Sequence, residues 1–273
     1  MINMNIYRHE LKRNRTSALV WSISFGVLIL MGMAFYPVLM QGDMVEQLSA
    51  FFENPFMKNL MSAFGASLEV MTNVLGFYAI RNASFLMLLG CMFSILLASR
   101  ILSEEEREKT AEFLLTKPVT RIEILISKLA AFLTYLLMLN GTIMAVALIC
   151  LEIFKGDSEY RIYSFLVHSL YTFLVMLTFG AVGLFISLLI KRGRSTISLS
   201  IGIVVAGFFF DALSKVTPSA DKFGYVSPFK FVDSAVLRPD YGLAWWRVLY
   251  FLGVSFVLFA ATLIIYRKKD ILV

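Results

Sequence analysis

Apolar residues along this chain fall in six long runs, separated by short clusters of charged and polar positions. The runs show neither the alternation of a half-buried strand nor the single apolar stripe of a soluble amphipathic helix. Each approaches the roughly 20 apolar residues that a helix needs to cross a bilayer core. They predict spans near Ser17 to Met40, Tyr78 to Leu102, Leu129 to Leu151, Tyr163 to Ile190, Thr196 to Leu213 and Trp245 to Tyr266. The expected fold is an all-α membrane protein with about six transmembrane helices, one domain over residues 1–273. Two connecting segments are longer than a simple turn. Residues 41–76 carry Phe51, Phe52, Phe56, Met57, Leu60, Met61 and Phe64 among polar residues, a spacing suited to helices lying in the outer interface. Residues 211–243 have Pro218 and Pro228 as breaks, with Phe223, Tyr225, Phe229 and Phe231 as aromatic anchors; they read as re-entrant or interfacial helices or as ordinary loops.

Composition agrees with lipid as the main solvent. The chain is 59% hydrophobic and 16% charged, against roughly 25% charged in a soluble domain. The net charge of +6 does not imply nucleic acid, because Lys and Arg sit at the ends of apolar runs and form no continuous basic stripe. Their placement sets orientation instead. Arg8, Lys12, Arg13 and Arg15; Arg100, Arg107, Lys109, Lys117, Arg121 and Lys128; Lys191, Arg192 and Arg194; and Arg267, Lys268 and Lys269 all fall on one side of a six-span layout. These sixteen of 25 basic residues predict that both termini are cytoplasmic. The first run is too long for a signal peptide and no small-residue cleavage site follows it, so it is expected to remain as a span. Cys91 and Cys150 lie inside apolar runs without C-x-x-C spacing and read as small buried hydrophobes.

The most informative stretch is Ser103 to Lys128, the longest expected cytoplasmic segment. Ser103 with Glu106 forms a capping-box pattern, and Glu104, Glu105 and Glu106 would sit where a helix dipole favours negative charge. A helix is expected to begin there, with Ala111, Leu114 and Leu115 along one side, Phe113 beside them, and Pro118 ending it. A second helix is expected to start after Thr120 and run into the third span. The string Glu106, Glu108, Thr110, Glu112, Leu114, Leu115, Pro118, Arg121, Ile124 and Lys128 resembles the cytoplasmic segment of the ABC-2 type transporter permeases. Lys109 departs from the pattern, since many members have Gly before the Thr.

That resemblance implies the permease subunit of an ATP-driven exporter in the plasma membrane of a bacterium. Residues Glu104, Glu105, Glu106, Glu108, Thr110, Glu112, Phe113, Leu114, Leu115, Pro118 and Arg121 would form a coupling helix docked on a separate ATPase. It further implies an elbow helix on the inner leaflet at Asn5 to Arg15, with Tyr7 and Leu11 on its apolar side. The chain has no G-x-x-x-x-G-K-[ST] loop, so ATP and Mg²⁺ would be held by the partner ATPase, with no cofactor, metal or catalytic residue on this chain. Two ATPase copies and a second permease, identical or homologous, would complete the transporter. A hydrophobic or amphipathic peptide, antibiotic or lipid is the expected cargo.

Other residues admit two readings. Ser198, Gly202 and Ala206 recur every four residues, a face that permits close helix approach within one subunit or across a permease dimer; the resemblance favours the dimer. Arg81 opens the second span, and intramembrane charges are costly, but an arginine near the interface can snorkel, which is the expectation. Thr134, Tyr135, Asn140 and Thr142 could line a pathway, though hydrogen bonds between helices are the commoner role. His168 lacks a second ligand at metal spacing and reads as a packing residue. An ion-coupled carrier would need intramembrane carboxylates and broken repeated helices, whereas the acidic residues fall in loops or at span ends. The remaining rival is a non-transporting scaffold or sensor that signals through the cytoplasmic helix.

Overall fold

A computed structural model describes residues 2–63, 66–81, 85–108, 119–156, 158–190, 193–216 and 221–268. Among these residues every regular element is helical and none is a strand. Helix α1 (Met4–Ala34) starts on Asn3, whose side chain accepts from the amides of Asn5 and Ile6. It ends where Pro37, at the start of α2 (Tyr36–Leu39), withholds an amide donor. The elbow expected at Asn5 to Arg15 is helical but not set apart from the span. It forms the first three turns of α1, because neither Gly nor Pro interrupts the chain there and its polar side chains find buried partners.

The segment over residues 41–76 contains α3 (Gly42–Glu53), α4 (Pro55–Ala63) and α5 (Leu68–Thr72). The second apolar run contributes α6 (Val74–Arg81) and α7 (Met87–Glu108), with a π-type turn at Phe85 and Leu86 leading into α7. The other helices are α8 (Arg121–Phe154), α9 (Ile162–Leu189), α10 (Gly193–Val216) and α12 (Trp245–Lys268), with the short α11 (Asp221–Gly224) and a 3-10 turn (Pro228–Phe231) between the last two. Five helices are long and apolar enough to cross a membrane, beginning with α1 and α2 together, while the apolar part of α7, Met87–Leu102, is shorter.

Helix α9 is the hub. Of its apolar window 78% is buried, against 17–33% for the other four, and it packs against α7, α12, α8 and α10. Small residues bring α7 and α9 together: a Cβ on Gly183 would stand 2.5 Å from the Ile95 carbonyl oxygen, and one on Gly180 2.7 Å from Ser94 Oγ. In the gap this leaves, Ser94 Oγ donates to the Met176 carbonyl at 2.6 Å. Buried polar groups in lipid need such partners.

At the end of the bundle remote from the start of α1, the aromatic anchors form a cap. Phe229 is buried against Phe179 and Phe208, with centroids 5.0 and 5.9 Å away, and Phe231 lies 4.0 Å from Tyr250. Asp233 fastens this cap to two spans. Its carboxylate pairs with Arg247 at 2.8 Å and with Arg238. Its carbonyl accepts from the Tyr241 hydroxyl at 2.9 Å and faces His168 Nδ1 at 3.4 Å. Burial alone would raise this carboxyl, but the Ala235 amide and the two guanidiniums outweigh it and hold the pKa below the usual aspartate range. A carboxyl depressed on folding stabilises the fold above its unfolded pKa of about 3.9 and loses that contribution as pH falls toward the folded value. Acidification below about pH 4 is therefore expected to raise amide exchange across the 227–241 cap before it does so in α9, and Asp233→Asn should abolish the pH dependence. Equal exchange in both regions at every pH would contradict this role.

Candidate functional site

The expected docking residues divide into three groups. Glu104, Glu105, Glu106 and Glu108 lie on α7, which continues through Ser103 to Glu108. No helix begins at Ser103, contrary to the capping-box reading. The reason is that the preceding apolar helix already supplies carbonyl acceptors for the amides that a cap would satisfy. Thr110, Glu112, Phe113, Leu114, Leu115 and Pro118 fall outside the described residues. Arg121 opens α8 and is half-buried.

The second helix does start after Thr120, and the reciprocal capping box lies there. Thr120 Oγ1 accepts from the Glu123 amide at 3.2 Å, and the Thr120 amide donates to Glu123 Oε2 at 3.0 Å. These two bonds satisfy the donors that a free helix start would leave open.

The root of the segment is held by charges buried deep in the protein. Glu10 of α1 and Lys128 of α8 are each about 1% exposed. Lys128 Nζ lies 3.7 Å from Glu10 Oε1 and donates to the Ile101 carbonyl of α7 at 2.5 Å. The Glu10 carboxylate also accepts from Arg13 at 3.1 Å and from Asn14 Nδ2 at 3.4 Å. Around this pair, the Asn3 amide donates to Ser127 Oγ at 2.7 Å, the Tyr7 hydroxyl meets Thr134 Oγ1 at 2.9 Å, and the Tyr135 hydroxyl donates to the Leu11 carbonyl. Burying two ions costs several kcal/mol each unless geometry and further hydrogen bonds offset it. Here one ammonium ties together the helix entering the segment, the helix leaving it and the first helix.

Glu10 was not among the residues picked out from the sequence. Its signal is visible afterwards: Glu10, Asn14, Ala18 and Ser22 recur every four residues on the buried side of α1, and Lys128 lies among Ile124, Leu125, Ala131 and Phe132 on the buried side of α8. A charge inside an apolar stripe requires a partner from another helix.

The remaining candidates are placed as follows. Thr134 and Tyr135 bond to α1 as described. Asn140 donates to the Leu136 carbonyl at 2.9 Å and reaches Met176 sulfur at 3.3 Å, and Thr142 bonds back to Met138. His168 is fully buried, edge-on to Tyr78. Ser198, Gly202 and Ala206 all lie exposed on α10, and a Cβ on Gly202 would meet nothing within 4 Å. Cys91 and Cys150 are both buried and unbridged.

Compared with known families, residues 4–271 match the model described as ABC-2 family transporter protein, a range that takes in the clamp, the segment and all five long apolar helices. No curated protein matches the chain.

Proposed function

Because this chain belongs to the ABC-2 family of transporter proteins, and so is the membrane permease of an ABC transporter that works with an ABC ATPase, we propose that it drives export through the segment between α7 and α8. On this reading the segment docks on the ATPase, and the Glu10–Lys128 clamp carries its movement into α1, α7 and α8. The observation that carries the reading is the Lys128 ammonium, bound at once to α1 and to the α7 carbonyl on the far side of the segment. The complete exporter holds two permeases and two ATPases, with ATP and Mg²⁺ on the ATPases and both permease termini in the cytoplasm of a bacterial cell. The exposed Ser198, Gly202 and Ala206 face of α10 supports close packing with a second permease. The cargo is a hydrophobic or amphipathic peptide, antibiotic or lipid, in keeping with the apolar spans.

The test is co-expression with a candidate partner ABC ATPase and purification in detergent. Glu108→Ala with Glu112→Ala is expected to lose the ATPase or its stimulation by the permease. If wild-type permease purifies without any ATPase, the scaffold or sensor reading takes the place of the exporter.

A further inference from the structure

Arg81 is the last residue of α6, and its side chain is half-buried. Its guanidinium lies flat on the α1 backbone at Gly32, where an added Cβ would stand 2.4 Å from both Nε and Nη2. Only glycine allows that approach. The Phe77 ring lies beneath it, with its centroid 5.8 Å from Cζ. Among the described residues no carboxylate or carbonyl is bonded to it.

The guanidinium lines a cleft of about 310 Å³ between α1 and residues of α6 and the start of α7. Every other residue lining the cleft is apolar or aromatic, with Tyr78 and Leu86 on its floor and Leu28 and Phe85 at its mouth. Leu28 is 41% exposed and Phe85 63%. Met31 and Phe35 on the same stretch of α1 are also exposed, so the mouth opens on an apolar surface that faces lipid. Gly32 lies about 10 Å inside the end of α2, close to the level where headgroups meet acyl chains.

An arginine among apolar side chains with no bonded anion among the described residues favours an anionic partner, and it presents a planar fork that matches a phosphate with two parallel hydrogen bonds. An ion arriving from water would have to cross an apolar mouth. An anion attached to an acyl chain would not. From this charge complementarity we propose that the cleft binds one acidic phospholipid of the surrounding bilayer, its phosphate on Arg81 and its proximal chain against Leu28, Leu86 and Phe85. The lipid is a resident of the permease. It joins α6 and the start of α7 to α1. This proposal stands whether or not the chain couples to an ATPase as described above.

The experiment is native mass spectrometry of the permease released from nanodiscs of phosphatidylglycerol or of phosphatidylcholine with identical chains. Wild type is expected to retain one phosphatidylglycerol per chain in preference to phosphatidylcholine. Arg81→Gln should weaken that retention by about 10–100-fold, the worth of charge-assisted hydrogen bonds, and Arg81→Lys should restore part of it. Gly32→Ala, which keeps the charge but displaces the guanidinium, should weaken it too, and the melting midpoint in phosphatidylcholine checks that each variant is folded. Equal retention of both lipids by wild type, or phosphatidylglycerol retention unchanged in folded Arg81→Gln, would overturn the proposal. Displacement by inorganic phosphate at equal concentration would overturn it as well, since the site would then be one for free anions. A cargo site would appear as loss of the bound lipid during ATP turnover, and that outcome also rejects a resident lipid.

Discussion

Lys128→Met is expected to destabilise the permease by about 1–3 kcal/mol, below the cost of a fully unpaired buried charge, because the buried Glu10 carboxylate loses this cation but keeps Arg13. The Ile101 carbonyl would lose its donor at the same time. A drop in melting midpoint in detergent, with reduced recovery of folded protein, is the measurement. Removing both charges has the opposite logic. In Glu10→Leu with Lys128→Met, neither ion has to be desolvated, and apolar side chains of similar size often replace a buried pair without loss. The double variant should therefore recover most of the stability lost by Lys128→Met. It should still assemble with the ATPase, since neither residue lies on the segment's surface. Permease-stimulated ATP turnover is nonetheless expected to stay low, because the bond from α8 to α7 and α1 is gone. Full stimulation in the double variant would reduce the clamp to a fastening with no part in coupling.

The second large effect is expected from Gly183→Leu on α9. The first added carbon would stand 2.5 Å from the Ile95 carbonyl oxygen and 3.1 Å from its Cα. Both atoms belong to the α7 backbone, which can yield only if the whole helix moves away. Overpacking of this kind costs about 1–3 kcal/mol and occasionally more. The present site should lie at or above the top of that range, since α7 against α9 is the broadest contact in the bundle and such contacts rest on close packing. Gly90→Ala offers a graded comparison: its Cβ would meet the Met176 methyl, the flexible end of a side chain that can turn aside. Gly141→Ala meets nothing within 4 Å and should be neutral or slightly stabilising through helix propensity. Thermal aggregation of the three variants in one detergent is expected to rank them in that order. Similar midpoints for Gly183→Leu and Gly141→Ala would remove the argument for a tight α7–α9 seam.

What could be read from residue order concerns forces that act locally or on the chain as a whole. Long apolar runs must be helices in lipid, because an unpaired backbone amide there costs several kcal/mol, and this decided the all-α membrane class. The start of α8 was legible for the same reason. Thr120 and Glu123 satisfy each other's neighbouring donors within four residues, and Pro118 just before them cannot continue a helix. The motif from Glu106 to Lys128 carried the family.

The capping pattern at Ser103 failed because a cap matters only where a helix has to begin, and α7 arrives there already formed. The role of Lys128 was hidden because its partners, Glu10 and the Ile101 carbonyl, come from helices that meet it only after packing. Arg81 shows the same limit. Its position near an interface suggested a side chain reaching for water, and nothing local to it pointed to Gly32, on another helix, against which its half-buried guanidinium lies. Apolar length and local hydrogen bonding by themselves determined that this chain is a bundle of membrane-spanning helices with a charged segment between two of them. Which buried charges meet, which small residues lie in the seam and which face stays open were decided only by the tertiary structure, since each depends on distances between helices that no local pattern specifies.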